Sequence, residues 1–252
     1  MPVQQGVQAW DRYAYVNNSP VNFTDPTGHE ICTADGDCNK TTTAEMVLAR
    51  FGVKLTNGTA NWNLRDKLAA LTAVVDTARR MSIDSGLTAV KAFRSAFKTY
   101  HKTLELRKME YYEYKNSKTG QIEKAYDGGL TVSSHLIYIT SLAQPWEGTR
   151  SDALAFSIAR NNIVHELGHA FVASNPGVGN GIPSELLTDN GWPPLVDYGA
   201  YLWRQHPCSW DPECLPGEVY ADMFLGWIYN TWGSDQRLEY MTTDMSNFWA
   251  GQ

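Results

Sequence analysis

Two histidines and a glutamate, His165, Glu166 and His169, form an H-E-x-x-H pattern in the second half of the chain. In a helix, residues four apart lie on one face, one turn from each other. The two imidazoles can therefore hold one metal ion from the same side. The glutamate can take a proton from a water molecule activated by that ion. The alternative is an amphipathic helix that carries two histidines and no metal.

The residues around this pattern predict the helix that it requires. Ser151 or Asp152 can cap its start, and the segment 175–177, with its proline and glycine, marks its end. Gly168 is unfavourable in a helix interior by about 1 kcal/mol, so we expect close backbone packing beside it. The histidines fall at the edge of a predicted buried stripe with helical spacing, formed by Phe156, Ala159, Ile163, Leu167, Ala170 and Ala173.

A catalytic zinc site needs a third protein ligand and one open position. Glu218 is the candidate, in a segment that reads as a helix entered through Pro216 and Gly217. Asp222 lies four residues on, hence on the same face. One carboxylate can ligate the metal, while the other accepts the second N–H of a ligating histidine. The alternative, a solvated acidic face, fits poorly with the apolar residues of this helix, which are Tyr220, Met223, Phe224, Trp227 and Ile228.

These two segments together resemble the gluzincin class of zinc metallopeptidases, of which thermolysin is the familiar member. The resemblance implies that His165 and His169 ligate zinc, that Glu166 is the general base, that Glu218 is the third ligand and that Asp222 supports His165. A metzincin would have glycine and histidine where this chain has Val172 and Asn175. A zincin with an aspartate ligand stays open, with Asp189 or Asp197 in the third position.

A second resemblance lies near the N-terminus. Residues 20–28 match the P-x-x-x-x-D-P-x-G pattern that closes the core of RHS/YD-repeat proteins. The resemblance implies a shell of repeats upstream and a variable C-terminal domain, often a toxin, after the pattern. It also implies self-cleavage after Gly28 with participation of Asp25, although His29 stands where leucine is more frequent. The alternative is a turn segment rich in proline and asparagine.

Composition narrows the classes of partner. The 252 residues carry a net charge of −6, which argues against nucleic acid or an anionic membrane as the main partner. No apolar stretch is long enough to span a membrane, and the first residues do not form a signal peptide. An RHS shell upstream would carry the export signal.

Four cysteines form two pairs with equal spacing, Cys32 with Cys38 and Cys208 with Cys214. Neither pair has the C-x-x-C spacing of a structural zinc site. We expect two local disulfides, which suits an exported protein. Four reduced thiols or cross-paired bonds are the alternatives.

Hydrophobic periodicity predicts helices over residues 43–50, 64–81 and 86–100, a strand at 53–55, a hairpin over 110–125 and one long strand over 130–142. His135 in that long strand is expected to be structural. The predicted fold is α+β and zincin-like, with the H-E-x-x-H helix packed on a small mixed sheet. Residues 1–30 would close the RHS core, and residues 31–252 would form the peptidase domain. Within that domain, residues 31–128 form a helical and hairpin part, and residues 129–252 carry the metal site.

An oxyanion that develops during peptide hydrolysis needs a hydrogen-bond donor beside the metal. The candidates are His206, Tyr198, Tyr201 and Tyr220. The function expected from all these features is hydrolysis of peptide bonds in a protein or peptide substrate, with one zinc ion per chain. The domain would act as the secreted or surface-exposed effector of an RHS protein, delivered into a target cell and matched by an immunity protein. The alternative is a non-catalytic, zinc-stabilised module that caps or anchors the RHS shell.

Mass spectrometry of the unreduced protein tests the cysteine prediction. We expect bonds Cys32–Cys38 and Cys208–Cys214, each contributing at most about 2–3 kcal/mol because the closed rings are short. Reduction should release metal or lower activity while most of the helical circular-dichroism signal stays, since the second ring closely precedes Glu218. Free thiols at all four positions, or bonds between the two pairs, would contradict this expectation.

Overall fold

The computed structural model describes residues 43–116, 119–126, 128–140, 152–187, 215–230, 232 and 235–252, together with the backbone of four two-residue strands. The chain divides into two compact units, Met1–Val47 and Leu48–Gln252. In the first unit, β1 (Phe23–Thr24) pairs antiparallel with β2 (Cys32–Thr33). The predicted boundary at residue 30 stays a prediction.

The described residues form a mixed α+β structure with six α-helices. These are α1 (Ala44–Arg50), α2 (Leu64–Ser85), α3 (Ala89–Ala96), α4 (Asp152–Ser174), α5 (Leu215–Tyr229) and α6 (Asp235–Ala250). A 3-10 helix spans Ser184–Leu186. Among the described helices, none is long and apolar enough to cross a bilayer.

The sequence-predicted helices are found, with changes at their ends. Asn63 caps α2 by accepting the N–H of Asp66 at 2.8 Å. The helix then runs one turn further than predicted, to Gly86, whose φ of 69° is the left-handed conformation that glycine favours. Helix α3 is shorter than the predicted 86–100, because the chain turns after Phe97, and Lys98 adopts a positive φ of 54°.

A four-stranded mixed sheet lies beside these helices. It consists of β3 (Val53–Asn57), β4 (Leu104–Lys108), β8 (Leu136–Ile139) and β7 (Gly129–Ser133), in that spatial order. The first three strands are parallel, and β7 pairs antiparallel with β8. Within the described part of the sheet, β7 is therefore an edge strand.

The prediction of a single strand over residues 130–142 was wrong, since this segment folds into the β7–β8 hairpin. Polar side chains close its turn. The Ser133 hydroxyl accepts the backbone N–H of His135 at 3.3 Å, and the Ser134 hydroxyl contacts Nδ1 of His135 at 2.8 Å. Local side-chain hydrogen bonds of this kind favour turns over continued strands.

The other strands are short. The predicted hairpin over 110–125 is confirmed as β5 (Tyr112–Lys115) paired antiparallel with β6 (Ile122–Ala125). After α4 comes the extended segment β9 (Pro176–Gly179). Further along, β10 (Val196–Asp197) pairs antiparallel with β11 (Leu202–Trp203).

Helix α4 occupies the centre of the second unit and packs against α2, α5, β7 and β8. The predicted stripe is only partly correct, since Ile163, Leu167 and Ala170 are buried but Phe156 and Ala159 are half-buried and Ala173 is exposed. Instead, all residues from 161 to 168 are buried. A helix covered on all sides in this way needs partners for its polar side chains. Asn175 fixes its end by donating through Nδ2 to the carbonyl oxygens of Ala96 and Phe171 at 2.8 and 2.9 Å.

Gly168 lets α4 and α5 approach closely. A Cβ at this position would lie 2.9 Å from the Cα of Ala221 and 3.1 Å from the Cβ of Phe224. The first of these atoms is backbone and cannot swing aside. The close packing that the sequence suggested around Gly168 is thus a contact with α5, the helix that carries Glu218.

Gly168→Ala should push the two helices apart. We expect a loss of about 1–3 kcal/mol in the free energy of unfolding, the usual effect of overpacking a core, together with weaker metal binding. Urea denaturation of the metal-free protein and a separate metal titration measure the two effects. Gly251→Ala is the control, since its added methyl would meet only carbonyl oxygens of its own helix end at 3.6 Å. Equal stability and metal affinity in both variants would contradict the packing argument.

Candidate metal centre

Helix α4 presents His165 and His169 from successive turns of one face. Their rings lie 4.9 Å apart between centroids and stand at 80° to each other. Their Nε2 atoms are 3.2 Å apart. His165 is 6% exposed, whereas His169 is partly exposed. Both nitrogens thus converge on one point at the border of the core.

Helix α5 brings two carboxylates to this point. Oε2 of Glu218 lies 3.0 Å from Nε2 of His165, and Oε1 lies 3.4 Å from Nε2 of His169. On the other side of the first ring, Oδ1 of Asp222 lies 2.8 Å from Nδ1 of His165. The one-turn spacing of the carboxylates on α5 therefore places one of them on each nitrogen of the same imidazole.

The charges in the cluster are strongly coupled. Burial by itself lowers the pKa of His165, but hydrogen bonds with Asp222 and Glu218 outweigh this effect and raise that pKa well above its ordinary value. Burial by itself raises the pKa of Glu218, but hydrogen bonds with His165 and His169 outweigh it and hold that pKa well below its ordinary range. In the metal-free protein Glu218 is consequently a carboxylate, and the protonated imidazole of His165 balances its negative charge.

The donor set fits a metal ion. Asp222 accepts the N–H at Nδ1 of His165, and Nε2 of the same ring faces a carboxylate oxygen of Glu218. Either the Nε2 proton of the protonated ring or a metal ion that replaces this proton can lie between these two atoms. Ligand atoms at about 2.0–2.1 Å from a tetrahedral ion stand roughly 3.3 Å apart. The contacts of 3.0 to 3.4 Å within this group are close to that value, with Oε2 of Glu218 facing His165 and Oε1 facing His169. His165, His169 and Glu218 could therefore hold one metal ion.

Glu166 stands apart from the ligand group although it follows His165 directly. It is 5% exposed, and its Oε2 accepts a hydrogen bond from the hydroxyl of Thr131 at 2.8 Å. Gly129 lies against its side chain, where an added Cβ would come within 2.5 Å of Cγ. This carboxylate is therefore held by β7, while α5 completes the group that could hold a metal ion.

Tyr220 is not brought to the centre. It lies two residues from both Glu218 and Asp222, and so on the opposite side of α5. Its hydroxyl donates to Oδ2 of Asp244 on α6 at 2.8 Å, and its ring packs against Gly179. This arrangement removes Tyr220 from the oxyanion donors suggested by the sequence.

The other sequence-predicted positions lie outside the described residues. These are the oxyanion candidates Tyr198, Tyr201 and His206, the alternative ligand Asp189 and the side chain of Asp197, the side chains of Cys32, Cys38, Cys208 and Cys214, and the junction at Asp25 and Gly28. The sequence analysis missed the roles of Gly129 and Thr131. Gly129 follows Asp127 and Gly128, a sequence typical of a turn, whereas a single threonine in a strand gives no sequence signal.

No protein-family profile, curated protein or solved structure matches the chain. The features that point to a function are therefore the geometry of the candidate metal centre and the resemblance of its sequence patterns to those of gluzincins.

Two substitutions on α5 distinguish a residue that ligates the metal from one that orients a ligating histidine. Glu218→Ala should remove most of the affinity for zinc, whereas Asp222→Asn should lower it by about 10- to 100-fold, as for a partner that orients a ligating histidine. Competition titrations of zinc against a chromophoric chelator measure both, with the exposed Asp235→Asn on α6 as the control. Full zinc affinity in Glu218→Ala would place the third ligand elsewhere, and Asp189 and Asp197 would be tested next.

Proposed function

We propose that this chain is a zinc-dependent endopeptidase of the gluzincin type that hydrolyses peptide bonds in a protein or peptide substrate. One observation carries the proposal. Three candidate ligand side chains converge from α4 and α5. A fourth ionisable group, Glu166, lies on α4 next to His165 but outside the ligand set. A purely structural site needs no such additional carboxylate, and it is more often closed by four protein ligands.

Zinc is the ion that best suits two imidazoles and one carboxylate with an open position. His165, His169 and Glu218 would hold it. The chemistry that the bound ion supplies is Lewis acidity towards the scissile carbonyl and a lowered pKa of water. Asp222 retains the proton at Nδ1 of His165, so that Nε2 offers its lone pair.

In the proposed reaction Glu166 is the general base and then the general acid. Its carboxylate accepts a proton from the attacking water as the new C–O bond forms, and it returns this proton to the amine nitrogen as the C–N bond breaks. The products are a carboxylic acid and an amine, which become a carboxylate and an ammonium group when the acid proton transfers to the amine, and Glu166 ends in its starting state. Burial of this side chain limits competing exchange with bulk water.

The position of β7 supports an extended polypeptide as the substrate. This strand borders Glu166 through Gly129 and Thr131, and in the described part of the sheet its outer side has no paired strand. Exposed backbone groups along an edge strand bind extended peptides by adding a strand to the sheet. A substrate paired there would place its backbone beside the base.

The pattern at residues 20–28 supports a place at the C-terminus of an RHS/YD-repeat protein. On this proposal the domain is the toxic tip of an exported protein, and it acts in a neighbouring cell that lacks the matching immunity protein. This biological role depends on the sequence resemblance alone.

Glu166→Gln separates binding from chemistry. Since Glu166 is outside the ligand group, the variant should keep zinc and its helical signal but lose a factor on the order of a thousand or more in rate, as expected for a lost general base. Proteome-wide cleavage profiling of the zinc-loaded protein measures the change, and the exposed Glu239→Gln on α6 is the matched control.

Two results would count against the proposal. Cleavage by Glu166→Gln at the wild-type rate would exclude this residue as the base. Retained zinc without cleavage by any of the proteins, including the wild type, would favour the non-catalytic module that anchors or caps an RHS shell.

A further inference from the structure

Strand β7 contacts Glu166 at two points along its side chain. Gly129 lies against the aliphatic stem, since a Cβ added there would come within 2.5 Å of Cγ and 2.9 Å of both Cδ and Oε1. Thr131 reaches the carboxylate, with Oγ1 at 2.8 Å from Oε2. The stem and one oxygen of the glutamate are thus held by the same strand.

The Thr131 hydroxyl has a choice of acceptors. Its oxygen also lies 2.9 Å from the backbone carbonyl oxygen of Glu166, but a hydroxyl has a single proton to donate. The carboxylate is the stronger acceptor because it is charged. Within α4, the backbone carbonyl also faces the helical N–H four residues on. The proton is therefore directed to Oε2.

We propose that Thr131 is a positioning residue that fixes Oε2 of Glu166 and thereby orients the carboxylate for proton transfer. The proposal rests on the proposed function of Glu166 as the general base. A glutamate side chain has three rotatable bonds, so holding it in one orientation costs conformational entropy. Gly129 and Thr131 hold it in one orientation before a substrate arrives, which is the condition for efficient proton transfer over a short distance.

The sheet contains a matched control for this contact. Thr56 on β3 donates to Oε1 of Glu105 on β4 at 2.6 Å, which is the same pair of residue types on two strands of the same sheet. Glu105 does not belong to the ligand group. Thr56→Val therefore removes a threonine–glutamate hydrogen bond without touching Glu166, while Arg107 still binds the same oxygen of Glu105.

The first measurement uses no activity. In metal-free protein labelled with 13C at the glutamate side-chain carboxyls, the resonance of Glu166 is assigned by its loss in Glu166→Gln. We expect this resonance to shift in Thr131→Val, to return in Thr131→Ser and to stay in place in Thr56→Val, which should instead move Glu105. An unmoved Glu166 resonance in Thr131→Val, beside a moved Glu105 resonance in the control, overturns the proposal. Thr131→Ala gives the same comparison if the valine variant does not fold.

The second measurement is kinetic. Loss of one hydrogen bond to a charged group predicts that kcat of zinc-loaded Thr131→Val falls about 10- to 100-fold, while KM and zinc affinity stay unchanged. Thr131→Ser should restore kcat. In the Glu166→Gln background, Thr131→Val should cause no further loss, because two residues that act through one group are not additive. A fully additive loss, or an equal loss in Thr56→Val, overturns the positioning role.

The two measurements also separate this proposal from the proposed function. If wild-type protein cleaves no peptide, the peptidase assignment fails, and the carboxyl resonances alone decide whether Thr131 orients Glu166. If wild-type protein cleaves and Thr131→Val cleaves equally well, the peptidase assignment stands and the positioning role fails.

Discussion

The close approach of α4 and α5 at Gly168 is the constraint on which the candidate centre depends. No side chain separates the backbone of the first helix from that of Ala221 on the second. Glu218 and Asp222 flank this contact on one side of α5, so their reach to the two nitrogens of His165 is set by the distance between the helix axes. A carboxylate displaced by one ångström would lose much of its interaction with an ion at about 2 Å. The missing side chain of one glycine therefore affects the position of both carboxylates at once.

Helix α4 carries both the candidate metal ligands and the separate carboxylate of Glu166, because it packs against a helix and against a sheet strand. On one side α5 supplies carboxylates that neutralise and orient the histidines, and on the other side β7 supplies a hydroxyl and a close backbone contact to Glu166. The burial of His165, Glu166 and Asp222 opposes stability unless each is paired. The polar contacts described here are these pairings. The hydrogen bonds that offset the burial of these polar groups also fix the positions of their ring nitrogens and carboxylate oxygens. Proteins commonly give up some stability for sites of this kind.

Much of the centre was predictable from the sequence because its geometry is local. Spacing of four residues on a helix fixes which side chains share a face, so His165 with His169, and Glu218 with Asp222, could be paired before any fold was known. The hairpin of β5 and β6 and the long helix α2 were predictable for the same reason. Contacts that depend on tertiary register were not. The roles of Gly129 and Thr131 follow from how β7 lies along α4. No periodicity in residues 129–133 predicts this packing. Strand β4 and helix α6 were not among the predicted elements. The turn from Ser133 to His135 was not predicted, because the strand was inferred from alternating apolar residues alone.

The separation of the ligands along the chain has a thermodynamic consequence. His165 and Glu218 are 53 residues apart and meet only when α4 and α5 pack together. An unfolded chain can offer the two histidines but not the complete set, so a metal ion held by this group would bind the native state far more tightly than the unfolded one. By linkage, the ion then adds RT ln(1 + [M]/Kd) to the stability of the native state, about 2.7 kcal/mol at a free concentration of 100 Kd. Availability of the ion in each compartment would thus set how long the folded chain persists there, and a chelating environment would expose it to unfolding and degradation.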